Sequence, residues 1–358
     1  MTQIEKFRSY LKKENLDAAI ISSEINQRYL SDFSYSDGYI VIGQDKAFLL
    51  ADFRYIEAAR NEVSELDVIM PKGSMLGALK DIVSNEGYTE IAIEETAVCC
   101  DTFERLKEAL PASCNLRFGA SKALDAQRSV KLPYEIERIS KAQEITDAAF
   151  SHILSFISPK RTEKEIALEL EFFMRSHGAE GIAFDTIAVS GSSSALPHGV
   201  PADRPLQNGF LTMDFGAKYN GYCSDMTRTV VIGKATDEMK QVYGTVLQAQ
   251  LNALDNLKAD MLCKDADEFA RSVIRDAGYG DAFGHSLGHG VGMYVHESPR
   301  LSQNAKSDEL LRVGTVVTVE PGIYLEGKFG CRIEDMVYVS ENKKINNLTK
   351  SPKNLIEI

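Results

Sequence analysis

No run in this sequence approaches the ~18 consecutive apolar residues that a membrane-spanning helix requires, so no membrane partner is expected. Basic charge is also in short supply. Forty Lys and Arg face 52 Asp and Glu, the net charge is −12, and no dense Lys/Arg cluster offsets the average. Phosphate binding needs a basic face, so a nucleic-acid partner is not expected either. The six cysteines (Cys99, Cys100, Cys114, Cys223, Cys263 and Cys331) show no C-x-x-C spacing. A chain of this length needs no disulfide staples, so they read as reduced thiols of a cytoplasmic protein. The first residues, Met-Thr-Gln-Ile-Glu-Lys-Phe-Arg, contain no apolar core of a signal peptide, which points the same way. Two catalytic motifs are missing. The Gly191–Gly199 loop has no Gly-x-Ser-x-Gly elbow, so a serine-hydrolase reading fails on spacing. Nor does any glycine-rich loop end in Lys-Ser or Lys-Thr, as a phosphate-binding loop would.

What is present is ordinary for a globular protein: 44% hydrophobic and 26% charged residues, over 358 residues. That length suits two domains. Short apolar runs at 17–21, 39–42, 47–50, 68–70 and 91–93 read as strands, and amphipathic stretches at 4–13, 54–65 and 75–87 as helices. This alternation predicts an α/β domain with a mixed sheet. Residues 124–132 read as a polar connector, after which Pro133 opens a long helix. Its predicted stripe is Ile136, Ile139, Ala142 and Ile145, with Glu135, Gln143 and Glu144 among its solvent-facing residues. The domains are placed at 1–125 and 126–358. Thr162-Glu-Lys-Glu165 fits a capping box opening a second helix, and further helices are predicted over 237–255 and 265–276.

The chemistry gathers in the second domain. Leu211–Gly233 reads as a hairpin turning at Asn220-Gly221. A central pair Tyr219-Asn220 sets Asp214 opposite Asp225, and a central pair Asn220-Gly221 sets them diagonally. In both registers the carboxylates share a face, because strand side chains alternate. Facing like charges destabilise a ladder, and a cation would compensate. Three of the six histidines, His285, His289 and His296, lie in the glycine-rich stretch Gly284–Glu297, where a regular helix is disfavoured. Thr315–Tyr324 and Gly330–Val339 form a second strand pair carrying Glu320 and Glu334. A buried, unpaired Glu320 would cost several kcal/mol, so burial there demands a cation. Four carboxylates and one imidazole suit two divalent ions, and a set with one nitrogen and no thiolate favours Mn²⁺ over structural zinc.

The order Asp214, Asp225, His289, Glu320, Glu334, with Gly-His-Gly-Val-Gly and Val-Glu-Pro-Gly-Ile-Tyr, resembles the pita-bread-fold dinuclear metallopeptidases, within them the prolidase and aminopeptidase P branch. The resemblance implies an α+β chain: a creatinase/prolidase-type N-terminal α/β domain followed by a pita-bread catalytic domain. It implies that Asp214 chelates one metal, that Asp225 and Glu334 bridge both, and that His289 and Glu320 complete the other. His198, His285, His296 and Arg332 become residues of the substrate site, and Glu320 carries a proton as well. The implied cofactors are two divalent ions, Mn²⁺ first, with Co²⁺ or Zn²⁺ as alternatives. The implied reaction is attack by a metal-bridging hydroxide on the Xaa-Pro bond of a small peptide with proline second, in a homodimer. Aminopeptidase P acting on longer peptides is the neighbouring reading. A methionine-type aminopeptidase fits poorly with ~125 preceding residues. A creatinase-like hydrolase and a non-enzymatic pita-bread module would each lack the ligand set.

Overall fold

The computed structural model describes residues 2–358, which separate into a first unit ending at Arg128 and a second, Ser129–Ile358. In the first unit the β-branched runs form a six-stranded mixed sheet in the order Asp67–Ile69, Ala47–Leu50, Tyr39–Gly43, Ala18–Ile21, Glu90–Ile93, Asn115–Phe118. Ala18–Ile21 pairs antiparallel with Tyr39–Gly43 and parallel with Glu90–Ile93. Its four residues are all buried, as expected of a strand covered on both faces. Two helices, Glu24–Ser31 and Cys100–Ala109, and the strand Asn115–Phe118 are not foreseen from the sequence. Each is short, and Asn115–Phe118 is largely exposed, so its apolar pattern is weak.

Residues read as a polar connector prove helical, Ala120–Ser129. Ala120 and Leu124 are fully buried, and Arg128 is held by Asp125 one turn before it, so buried packing and local pairing override polar composition. The long helix is Pro133–Phe156 with proline in its first turn. Glu135 and Gln143 do not face solvent. Glu135 is buried, its Oε2 caps its own helix by accepting from Leu132 N at 2.8 Å, and its Oε1 accepts from Tyr222 Oη at 2.9 Å.

The second unit repeats one plan twice. The helices Pro133–Phe156 and Glu163–Ser176 precede the antiparallel sheet Ile187–Ser190, Gly209–Phe215, Met226–Ile232. The helices Asp237–Asn256 and Cys263–Ile274 precede Gly288–Gly290, Val316–Val319 and Asp335–Val339, again antiparallel neighbours in that order. Even the isolated bridges correspond. The residue before the second helix of each pair bridges to a later loop, Thr162 to Pro205 and Leu262 to Leu310. Each half has its own apolar core between helices and sheet. No repeat is visible in the sequence, because the duplication survives in burial and topology and not in residue identity.

Candidate metal centre

Three of the four carboxylates, Asp225, Glu320 and Glu334, sit at breaks in hairpins, and Asp214 lies within a strand beside one of them. In the first hairpin Asn220 and Gly221 take φ of 45° and 86°, so they are the central pair, and Tyr219 faces Tyr222. This is the second of the two registers considered: Asp214 faces Thr227, and Asp225 lies diagonal to it. The ladder is interrupted at Gly216, next to Asp225. A Cβ on Gly216 would lie 1.9 Å from Ser224 O, so only glycine fits there. In the second hairpin the single strands anticipated at 315–324 and 330–339 each divide. Val316–Val319 pairs with Asp335–Val339, whereas Gly322–Leu325 pairs with Phe329–Arg332. Glu320 and Glu334 occupy the two breaks. Pro321 cannot donate to a ladder, so the strand must change partner there, and the freed backbone finds other acceptors. Glu320 N donates to Leu287 O at 2.8 Å, and Glu334 N to Thr227 O at 3.1 Å.

Asp225, His289 and Glu334, all buried, offer ligand atoms within 4.8 Å of one another. Glu320 Oε1 lies 3.3 Å from His289 Nε2, and Asp225 Oδ2 lies 3.6 Å from it. His289 Nδ1 is 3.1 Å from Gly290 O. A carbonyl only accepts, so Nδ1 carries a proton and Nε2 is the nitrogen facing the carboxylates, where it either donates to them as imidazolium or is free to ligate a cation. Asp214 is held by Arg332, whose Nη2 donates to Oδ2 at 2.7 Å, while its buried Oδ1 has no hydrogen-bond partner. His198, His285, His296 and Arg332 line the same cleft of about 610 Å³ as the five carboxylate and imidazole residues.

The electrostatics of this cleft demand positive charge. Four carboxylates line the cleft with two guanidinium groups, Arg332 and Arg300, so acidic groups outnumber basic ones when the histidines are neutral. Burial, then the charges of Glu334 and Asp214, push Asp225 well above the usual carboxylate range. Burial, then Glu320 and Asp214, do the same to Glu334. Asp214 is raised by burial, with Arg332 working against the shift. Glu320 is the exception. Burial opposes its charge, but His289, His285 and Arg332 together hold it down to about 2. Correspondingly, burial disfavours the His289 imidazolium, and the Glu320 carboxylate outweighs it, so His289 is raised. Burial pushes the Cys223 and Cys331 thiols up to about 12, so neither offers a thiolate at neutral pH. Hard oxygen donors, one imidazole and an unpartnered buried carboxylate oxygen fit divalent cations.

Around this centre, Tyr324 Oη accepts from Arg332 Nη1 at 2.7 Å and lies 2.9 Å from His285 Nε2. The His296 ring stands edge-on to His289, centroids 4.4 Å apart. His198 is exposed on a loop whose two ends are tied by one buried carboxylate. Glu163 Oε1 accepts from Ser190 N at 2.7 Å, and Oε2 from Ala202 N at 3.0 Å. Thr227, Tyr324 and Glu163 carry no role in the sequence reading. For Thr227 a signal existed, since strand alternation from Asp225 already places it on the aspartates' face. For Tyr324 and Glu163 there was none, because their partners are far away in the chain.

Comparison with known proteins gives the family. The model of metallopeptidase family M24 matches residues 137–341, and that of the creatinase/prolidase N-terminal domain matches residues 3–130. An Xaa-Pro dipeptidase of Pyrococcus furiosus is 37% identical over 356 residues, covering 99% of each chain. Among solved structures, an Xaa-Pro dipeptidase from Bacillus anthracis superposes with a TM-score of 0.95 at 38% identity, covering 99% of both chains. An X-Pro aminopeptidase from Thermotoga maritima superposes with a TM-score of 0.91 at 41% identity, covering 96% of this chain and 98% of its own. A creatinase/prolidase-type domain followed by a pita-bread domain is the fold, and the chain belongs to metallopeptidase family M24, a hydrolase of peptides that works with divalent metal.

Proposed function

We propose that this metallopeptidase is an Xaa-Pro dipeptidase using two Mn²⁺ ions. The observation that carries the reading is the buried surplus of carboxylate in the cleft, with Asp214 Oδ1 unpartnered and Asp225, His289 and Glu334 converging within 4.8 Å. Asp214, Asp225, His289, Glu320 and Glu334 would hold the ions, with Asp225 and Glu334 shared. Bound there, the metals would polarise the scissile carbonyl and furnish hydroxide near neutral pH. The absence of thiolate and the single nitrogen favour Mn²⁺ over zinc. Readings without metal, whether creatinase-like hydrolysis or passive binding, leave the carboxylate surplus unexplained.

The chain's own residues then act around the scissile bond. Burial, followed by the nearby His289, holds His296 below the usual imidazole range. At neutral pH it is uncharged and presents an N–H toward the oxygen on which negative charge develops. Glu320 carries a proton to the departing proline nitrogen. Arg332 opposes the upward shift of Asp214 and fixes Tyr324, which orients His285. Phe184, Ile187, Val200 and Val295 line the cleft with apolar surface, suited to a pyrrolidine ring, and His285 and His296 complete that wall. An Xaa-Pro bond has no amide N–H, so ring packing must supply the selectivity that backbone recognition cannot.

Relatives bear both dipeptidase and aminopeptidase names. Arg300 favours the dipeptide, since it lines the cleft and offers a guanidinium to a free carboxylate. In a dipeptide that carboxylate belongs to proline itself. A cytoplasmic homodimer completes the reading on the resemblance alone, and light scattering measures its mass. The deciding experiment compares an Xaa-Pro dipeptide with the corresponding Xaa-Pro tripeptide after loading with Mn²⁺. Preferential cleavage of the dipeptide is expected. Faster cleavage of the tripeptide would replace dipeptidase by aminopeptidase P, and cleavage of neither would refute the Xaa-Pro reading.

A further inference from the structure

Thr227 joins the two broken hairpins at the point where their carboxylates meet. It faces Asp214 across the first ladder. Its carbonyl accepts from Glu334 N at 3.1 Å, and its hydroxyl lies 2.6 Å from Glu334 Oε2 and 2.9 Å from Arg332 Nε. The residue is completely buried, so water cannot substitute for these partners.

With Glu334 ionised, as a metal ligand would be, the direction of both hydrogen bonds is forced. A guanidinium only donates, so the hydroxyl must accept from Arg332, and its one proton is left for Glu334. An O–H directed at a carboxylate is charge-assisted and short, as the 2.6 Å separation is. Arg332 continues the chain to Asp214 Oδ2 at 2.7 Å. A single path therefore runs from Asp214 through Arg332 and Thr227 to Glu334, connecting a carboxylate of the first hairpin with one of the second.

We propose that Thr227 is a positioning residue of the metal centre: its hydroxyl donates to Glu334 Oε2 and fixes the rotamer in which that carboxylate would hold the ions, and it couples that orientation to Asp214 through Arg332. The inference rests on the metal-dependent reading of the site. Outer partners of this kind typically alter metal affinity by about 10–100-fold. Valine at 227 would keep the shape and remove the donor, whereas serine would keep the donor and remove only a methyl group.

The test is calorimetric titration of Mn²⁺ into the metal-free full-length protein, as wild type, T227V and T227S, with the unfolding temperature of each metal-free form recorded alongside. T227V should bind Mn²⁺ about 10–100-fold more weakly, and T227S should stay within about threefold of wild type. Wild-type affinity in T227V overturns the inference, as does a loss in T227S equal to that in T227V, which would make the role one of packing. If T227V fails to fold, T227A against T227S isolates the hydroxyl, and equal affinities there are again a refutation. A wild-type protein that takes up no Mn²⁺ would instead overturn the metal centre itself.

Discussion

Replacing Asp225 by Asn should make the metal-free protein more stable and the metal-loaded protein less so. Asp225, His289 and Glu334 place ligand atoms within 4.8 Å of one another. At that distance two like charges repel by about 3 kcal/mol or more, using an effective dielectric constant of ~20. Proton uptake already relieves part of this, because burial and Glu334 raise Asp225 well above the usual carboxylate range. Removing the charge should therefore recover roughly 1–3 kcal/mol at neutral pH. For a unit of 150–250 residues each kcal/mol moves the unfolding temperature by about 2–4 °C, giving an expected rise of roughly 2–12 °C. With Mn²⁺ present the order should reverse, since a ligand at 100–1,000 times its Kd contributes about 3–4 kcal/mol that the variant forfeits. Differential scanning calorimetry in chelator and in Mn²⁺ reads both signs, and Xaa-Pro cleavage should be abolished. A metal-free D225N protein less stable than metal-free wild type would refute the argument that this cluster is strained by its own charge.

The metal-free wild type should also gain stability between pH 7 and about 5. Asp214, Asp225 and Glu334 have folded pKa values above their unfolded ones, so ionising them on the way up in pH costs more in the folded state. The raised His289 acts in the same direction, contributing below its unfolded pKa and losing that contribution as pH rises through the folded one. The depressed His285 and His296 oppose it across this window, and the depressed Glu320 opposes it only at lower pH; flat or falling stability on acidification would contradict the dominance of the three raised carboxylates. Gly216→Ala should destabilise by about 1–3 kcal/mol or more, because its Cβ would lie 1.9 Å from Ser224 O and backbone must move, as chemical denaturation would reveal. His296→Ala should lower turnover while two ions still bind, as measured by elemental analysis; loss of metal would make His296 a ligand and not an oxyanion donor.

Much of this protein is legible without coordinates because the informative signals are local. Alternating apolar runs located Ala18–Ile21, Tyr39–Gly43 and Ala47–Leu50, and the Thr162/Glu165 capping box located its helix. Asn220-Gly221 specified a hairpin, and alternation placed Asp214 and Asp225 on one face in either register. What failed locally was decided by distant partners. Residues 124–132 look polar, yet Leu124 is buried, and Glu135 looks solvated, yet it accepts a hydrogen bond from Tyr222, 87 residues further on.

The sequence by itself determined which groups could meet: two aspartates on one hairpin, two glutamates on another, and histidines between glycines. Tertiary structure alone decided that Asp225, Glu320 and Glu334 sit at breaks in the hairpins, that all four carboxylates face one cleft, and that Thr227 and Arg332 link them. The physical reason is separation along the chain. A strand's period specifies the face of its own side chains, but the hydrogen bonds from Thr227 to Glu334 and from Arg332 to Asp214 span 107 and 118 residues. Those contacts exist only once two halves of the same plan have folded against each other.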